Sequence, residues 1–123
     1  MAQPEDLISH AACVLTVKNM QDSLKFYRDK LGFELTFGWN DPIDYAVLKR
    51  GGVQIHLTTG PETVAVENTN RSLYLFVHDV DKLYQEFKRK EVSPMSSPAE
   101  RDYEMKDFDV KDPSGYILTF GKG

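Results

Sequence analysis

The chain has 123 residues, 41% of them hydrophobic, and a formal net charge of −4. That length supports one core rather than two independent ones, and no stretch approaches the roughly 18 consecutive apolar residues of a membrane span. Mild acidity with scattered lysines lacks the basic patch of a nucleic-acid binder, so neither nucleic acid nor membrane is an expected partner.

One cysteine, Cys13, excludes an internal disulfide. The first nine residues carry Glu5 and Asp6 instead of the basic-then-apolar pattern of a secretory signal. The expected location is therefore cytoplasmic.

In chain order, the first strand runs through Leu15-Thr16-Val17. Alternation turns Cys13, Leu15 and Val17 toward a helix and Ala12, Val14 and Thr16 the other way. Asn19 then has the short side-chain oxygen of an N-cap, and a helix is predicted over residues 20–30. Met20, Leu24, Tyr27 and Leu31 fall on one face of it, and Gly32 stands where a left-handed C-terminal cap belongs. Strands are predicted over 33–37 and 44–49. Between them Gly38-Trp39-Asn40-Asp41-Pro42 reads as a turn, and a tryptophan in a polar turn is expected to cover something. Gly51-Gly52 feeds a strand that points Val53, Ile55 and Leu57 at the helix and leaves Gln54, His56 and Thr58 opposite. A polar linker spans 60–71. In the next strand Leu73, Leu75 and Val77 face a helix, leaving Ser72, Tyr74, Phe76 and His78. Asp79 caps a second helix over 80–90. A looser, Ser-Pro-containing stretch occupies 92–104, with 93–98 as a mobile rim. A strand over 105–110 follows, then Asp112-Pro113-Ser114-Gly115, which has Pro and Gly where a type I turn wants them, and a last strand.

The chain repeats itself. Leu15-Thr16-Val17-Lys18-Asn19-Met20 matches Leu75-Phe76-Val77-His78-Asp79-Val80 at an offset of 60, and Gly51 to Leu57 matches Ser114 to Phe120 at an offset of 63. Each half reads strand, helix, three strands. Two such units can pair their sheets and curl around a shared cavity.

Two stretches carry a family resemblance: Val17-Lys18-Asn19-Met20-Gln21-Asp22-Ser23-Leu24-Lys25-Phe26-Tyr27 with Leu31-Gly32-Phe33, and Asp107-Phe108-Asp109-Val110-Lys111-Asp112-Pro113-Ser114-Gly115-Tyr116. Together they resemble the opening and closing elements of the vicinal-oxygen-chelate superfamily, which holds glyoxalase I, the extradiol dioxygenases and the bleomycin resistance proteins. The resemblance covers about residues 8–122. It implies an α+β fold of two βαβββ modules with curled mixed sheets around a cavity. It also implies one domain over 1–123, with module one at about 8–60 and module two at about 72–122, and commonly a homodimer.

In metal-dependent relatives four ligands come from four strands, and the repeat places those positions at Ala12, His56, Ser72 and Thr119. Ala12 has no donor, and neutral Ser and Thr hydroxyls are poor ligands for zinc or iron. No metal, no cofactor and no catalytic residue are therefore expected. His10, about 6.6 Å further along the strand face than Ala12, would substitute only after a register shift. His78 reads as a solvated strand-end residue and Cys13 as a small core residue.

What remains is a cavity. The expected ligand-binding residues are Trp39, Tyr45, His56, Tyr74, Phe76, Tyr103 and Met105, since planar aromatic walls suit planar guests. Asp41, Asp44, Asp107 and Asp109 would add negative charge near its mouth. The pattern is similar to that of the bleomycin resistance proteins, metal-free members that sequester a cationic antibiotic. Two alternatives stay open: a metal-dependent lyase, dioxygenase or thiol transferase of the same superfamily, and a metal-free sensor or scaffold with a residual cavity.

Overall fold

The computed structural model describes residues 6–60, 71–101 and 104–122. Module one contains β1 (Cys13–Val17), α1 (Met20–Lys25) continuing as a π-helical turn (Phe26–Lys30), β2 (Glu34–Trp39), β3 (Tyr45–Arg50) and β4 (Val53–Thr59). Module two contains β5 (Arg71–Phe76), α2 (Val80–Arg89), β6 (Ala99–Glu100), β7 (Lys106–Lys111) and β8 (Ile117–Lys122). The architecture is α+β, two βαβββ units whose sheets run β1-β4-β3-β2 and β5-β8-β7-β6. The first strand of each unit lies parallel to the last, and the other pairings are antiparallel. The expected linker falls mostly outside the described residues. Among those residues no helix is long and apolar enough to cross a membrane.

Local chemistry explains the helices. The Asn19 side chain accepts from the Asp22 amide at 3.0 Å, and Asp79 does the same for Lys82 at 3.0 Å. Each satisfies an amide that the first helical turn leaves without a backbone acceptor. Leu31 then donates to Phe26 and Phe33 to Tyr27, closing the widened turn. Gly32 follows with φ +75°. That conformation strains any residue with a Cβ, and a Cβ there would come 2.9 Å from the Arg50 guanidinium.

In β1 and β4, alternate residues Leu15, Val17, Ile55 and Leu57 are buried against the helix. One apolar cluster draws on both modules, with Tyr27, Leu31, Phe87, Phe108 and Leu118 fully enclosed. Among the described residues of the predicted loose stretch 92–104, the only strand is the two-residue β6.

The modules are joined by the turn between β7 and β8. Gly115 donates to the Asp112 carbonyl at 3.0 Å, closing the expected β-turn. The Asp112 carboxylate accepts from the amides of Ser114 (2.9 Å) and Tyr116 (2.8 Å) and from the Tyr27 hydroxyl of module one (2.8 Å). The same turn reaches β1 and its end: Tyr116 donates its hydroxyl to the Thr16 carbonyl at 2.8 Å, and the Ser114 hydroxyl accepts from the Lys18 amide at 3.1 Å. Farther along the seam, Arg50 holds Glu86 through two hydrogen bonds of 2.7 and 3.1 Å.

Burial pushes the Asp112 carboxyl above its ordinary value, and the Tyr27 hydroxyl and the turn amides only partly offset this. Burial and the neighbouring Asp112 also push the Tyr27 phenol well up, so it remains a donor. The fold therefore prefers protonated Asp112. That contribution is complete below about pH 4, the unfolded value, and is lost as pH rises through the higher folded value. Asp112→Asn keeps an acceptor for the turn amides without the charge. Denaturant melts should show its stability, relative to the unmodified protein, improving from about pH 4 to pH 7. Tyr27→Phe should lose about 1–3 kcal/mol at neutral pH, because the buried carboxylate forfeits the Tyr27 hydroxyl as a donor.

Candidate functional site

Each sheet has a face turned away from its helix. On sheet one this face carries Val14 and His56, which are direct β1–β4 partners, with Val47 and Tyr45 from β3. Phe37 and Trp39 from β2 complete it, opposite Val47 and Tyr45 respectively. The rings form a continuous run. Phe37 and Trp39 lie 4.2 Å apart between centroids, Trp39 and Tyr45 5.3 Å, and Tyr45 and His56 5.6 Å. The Tyr45 hydroxyl and His56 Nδ1 are hydrogen-bonded at 2.8 Å, which fixes the far end of the run. Trp39 keeps 45% of its surface exposed and Phe37 54%, an unusual amount of bare aromatic surface on one strand.

Trp39 is thus the last residue of β2 and not part of the turn expected there. A β-bulge explains both this and the placement of Phe37, which sequence alternation alone does not single out. Leu35 pairs with Leu48 and Phe37 with Val47, leaving Thr36 as an extra residue. The Thr36 hydroxyl donates to the Val47 carbonyl at 3.2 Å across the bulge. Simple alternation would send Leu35, Phe37 and Trp39 to one face. The bulge leaves Leu35 on the core and turns the two aromatic rings outward.

Sheet two presents different chemistry. Tyr74 and Thr119 occupy the positions equivalent to Val14 and His56 and pair in the same way. Tyr74 and Phe76 form a second aromatic pair, 5.0 Å between centroids, and Phe76 is 77% exposed. Beside them lies a charged network. Asp107 is fully buried and accepts from the Tyr74 hydroxyl at 2.9 Å and from Arg101 Nε at 2.5 Å. Asp109 accepts from the Thr119 hydroxyl at 2.6 Å, with Arg71 Nε at 3.5 Å. The two carboxylates therefore face two guanidinium groups and do not supply the free negative charge expected of them. Their position was readable, since Asp107 and Asp109 alternate with the core residues Phe108 and Val110. Their arginine partners come from other strands or loops and were not.

Among the remaining expected contacts, Met105 is half-buried just before β7, and its carbonyl accepts from the Arg101 amide. Tyr103 lies outside the described residues. The expected residues therefore fall into two groups, Trp39, Tyr45 and His56 on sheet one and Tyr74 and Phe76 on sheet two. His10 is exposed ahead of β1 beside Ser9, and His78 is exposed past β5. Cys13 is half-buried, and burial raises its thiol above the ordinary value, which opposes a nucleophilic role.

The four positions where metal-dependent relatives carry ligands do not form a transition-metal donor set. Ala12 contributes nothing, the Thr119 hydroxyl is buried on Asp109, and the Ser72 hydroxyl faces the Ile117 amide at 3.4 Å. His56 alone supplies a strong donor type. Among the described residues no three or more His, Cys, Asp or Glu side chains gather where they could hold an ion.

Close packing of Tyr74 depends on Gly121. A Cβ at residue 121 would collide with the Tyr74 hydroxyl and come 2.7 Å from the Asp107 Cβ. Gly121→Ala should therefore cost about 1–3 kcal/mol in urea denaturation, with Tyr74 displaced from Asp107. A neutral result would show that Tyr74 moves aside freely.

Comparison with known proteins agrees with this architecture. The sequence profile of the Glyoxalase/Bleomycin resistance protein/Dioxygenase superfamily matches residues 7–120. The YraH protein of Bacillus subtilis (strain 168) is 27% identical over 120 residues, covering 88% of this chain and 93% of its own. A bleomycin-binding protein from bleomycin-producing Streptomyces verticillus, solved with copper(II)-bleomycin, superposes with a TM-score of 0.77 at 28% identity, covering 100% of this chain and 99% of that one. A lactoylglutathione lyase from Agrobacterium tumefaciens shares the fold with a TM-score of 0.71 at 19% identity, covering 98% and 96%. With the repeated modules and the matched profile spanning nearly its whole length, the chain belongs to the glyoxalase/bleomycin resistance protein/dioxygenase superfamily.

Proposed function

We propose that this protein is a metal-free binding protein that sequesters a planar or cationic antibiotic-like molecule against the aromatic face of sheet one. The observation that carries this reading is the run Phe37–Trp39–Tyr45–His56, exposed and held in place by the bulge and the Tyr45–His56 hydrogen bond. Ring faces stack on planar guests and attract cations. Because Asp107 and Asp109 already face Arg71 and Arg101, recognition of a cation rests on the rings more than on those carboxylates. The Streptomyces verticillus relative, solved with copper(II)-bleomycin, supports a guest of that kind.

The binding unit in this proposal is a cytoplasmic homodimer in which each chain acts as one domain. The aromatic face of one copy meets Tyr74 and Phe76 of the other, with Met105 at the rim. Support comes from the bare aromatic surface on both sheets of the single chain, since burying such surface is the main driving force for association. Light scattering should give twice the mass of one chain, and a mass of one chain at micromolar concentration would remove the composite cleft.

Trp39 is the only tryptophan, so its emission reports the site directly. Titration with copper-loaded and metal-free bleomycin should quench it saturably, and Tyr45→Ala should weaken binding about tenfold or more. Absence of quenching with these and with a panel of planar cations would refute the proposal. Calorimetric titration with nickel, zinc, manganese and ferrous iron should show no stoichiometric site. Micromolar or tighter binding that His56→Ala abolishes would instead favour a metal-dependent enzyme.

A further inference from the structure

A cavity lies between the modules on the helix side of the sheets, with a volume of about 440 Å³. Its floor is apolar and comes from both halves, Leu31 and Phe33 of module one with Phe87 and Phe120 of module two. Of the rings on the two open faces it shares only Phe76; Trp39, Tyr45 and His56 take no part. The volume falls within the ordinary range for a small-molecule site, about 300–1,000 Å³.

The charges around the mouth are unevenly committed. Glu86 is held by Arg50 through two hydrogen bonds, and that contact draws its carboxyl below the ordinary value. Asp79 accepts the Lys82 amide as the cap of α2. Lys82 and His78 also line this mouth, and among the described residues their hydrogen bonds are made by backbone atoms. An apolar floor beneath an exposed cation suits a guest with a hydrophobic body and one anionic head.

The geometry points to a second binding site here, for a small amphipathic anion such as a fatty acid or an aromatic sulfonate or carboxylate, independent of the aromatic face. The body lies over Phe33, Phe87 and Phe120, and the head pairs with Lys82. Gly52, in the turn between β3 and β4, forms part of the wall. A Cβ there meets nothing within 4 Å, so a larger side chain has room to enter the mouth.

The probe is anilinonaphthalene sulfonate, titrated into the full chain and followed by its own fluorescence. Saturable binding is expected. Lys82→Glu should weaken it about tenfold or more, and Gly52→Phe should remove it. Decanoate should displace the dye much better than decanol, and equal displacement by the two would overturn the role of an anionic head. In both variants the Trp39 response to bleomycin should be unchanged, so failure of this site and failure of the aromatic face read out separately. The inference is overturned if dye affinity is the same in both variants, or if Tyr45→Ala removes the dye while Lys82→Glu does not. Lys82 is exposed, so Lys82→Glu decides the matter even if Gly52→Phe does not fold.

Discussion

Asp112 is a carboxylate carried into the seam between two modules, and the relative placement of both sheets follows from how it is satisfied. One oxygen organises its own turn by accepting two backbone amides, and the other receives the Tyr27 hydroxyl from the opposite module. Burial works against the charge, as the raised carboxyl value shows. The compensation is geometric: with that turn fixed, Ser114 and Tyr116 are aimed at Lys18 and at the Thr16 carbonyl. The Arg50–Glu86 bridge spans the same seam, but both side chains are about one-third exposed. A pair of that kind contributes on the order of 1 kcal/mol or less. The buried junction sets the geometry, and the surface pair assists it.

The two modules use one backbone plan for opposite chemistry. Val14 beside His56 and Tyr74 beside Thr119 are the same pair of positions in register. In module one they open onto an aromatic run with a single imidazole. In module two the hydroxyls of Tyr74 and Thr119 are spent on Asp107 and Asp109, and the arginines answer those charges. Of these charges only Asp107 is fully buried, and removing the donors of a buried carboxylate is costly. The network ties Tyr74 and Thr119 to fixed carboxylates and leaves Phe76 as the exposed ring of sheet two, against the longer run on sheet one.

Much of this was legible in the sequence because it is local or periodic. The capping residues Asn19 and Asp79, the Asp112–Gly115 turn and the burial of Leu15, Val17, Ile55 and Leu57 depend on near neighbours and strand alternation. The repeat then located His56 and Thr119 as counterparts without a structure. What escaped depends on distant approach or on a break in period. Tyr27 reaches Asp112 only after the modules fold together, and Arg101 reaches Asp107 only once β6 and β7 have paired. The π-helical turn after Lys25 leaves no mark in the apolar spacing, since Tyr27 and Leu31 are buried in either helix type.

The bulge at Thr36 has a bearing on how such a site arises. Whether Phe37 and Trp39 serve the core or the outer face is decided by chain length within β2, because one added or removed residue reverses the facing of everything beyond it. Substitution alters such a wall ring by ring. A single-codon insertion or deletion presents or withdraws it whole, while the apolar composition of the strand stays nearly constant. Two related chains with the same aromatic residues in β2 can therefore differ completely in what they offer a guest, and the residue count between Gly32 and Asn40 separates them better than sequence identity does.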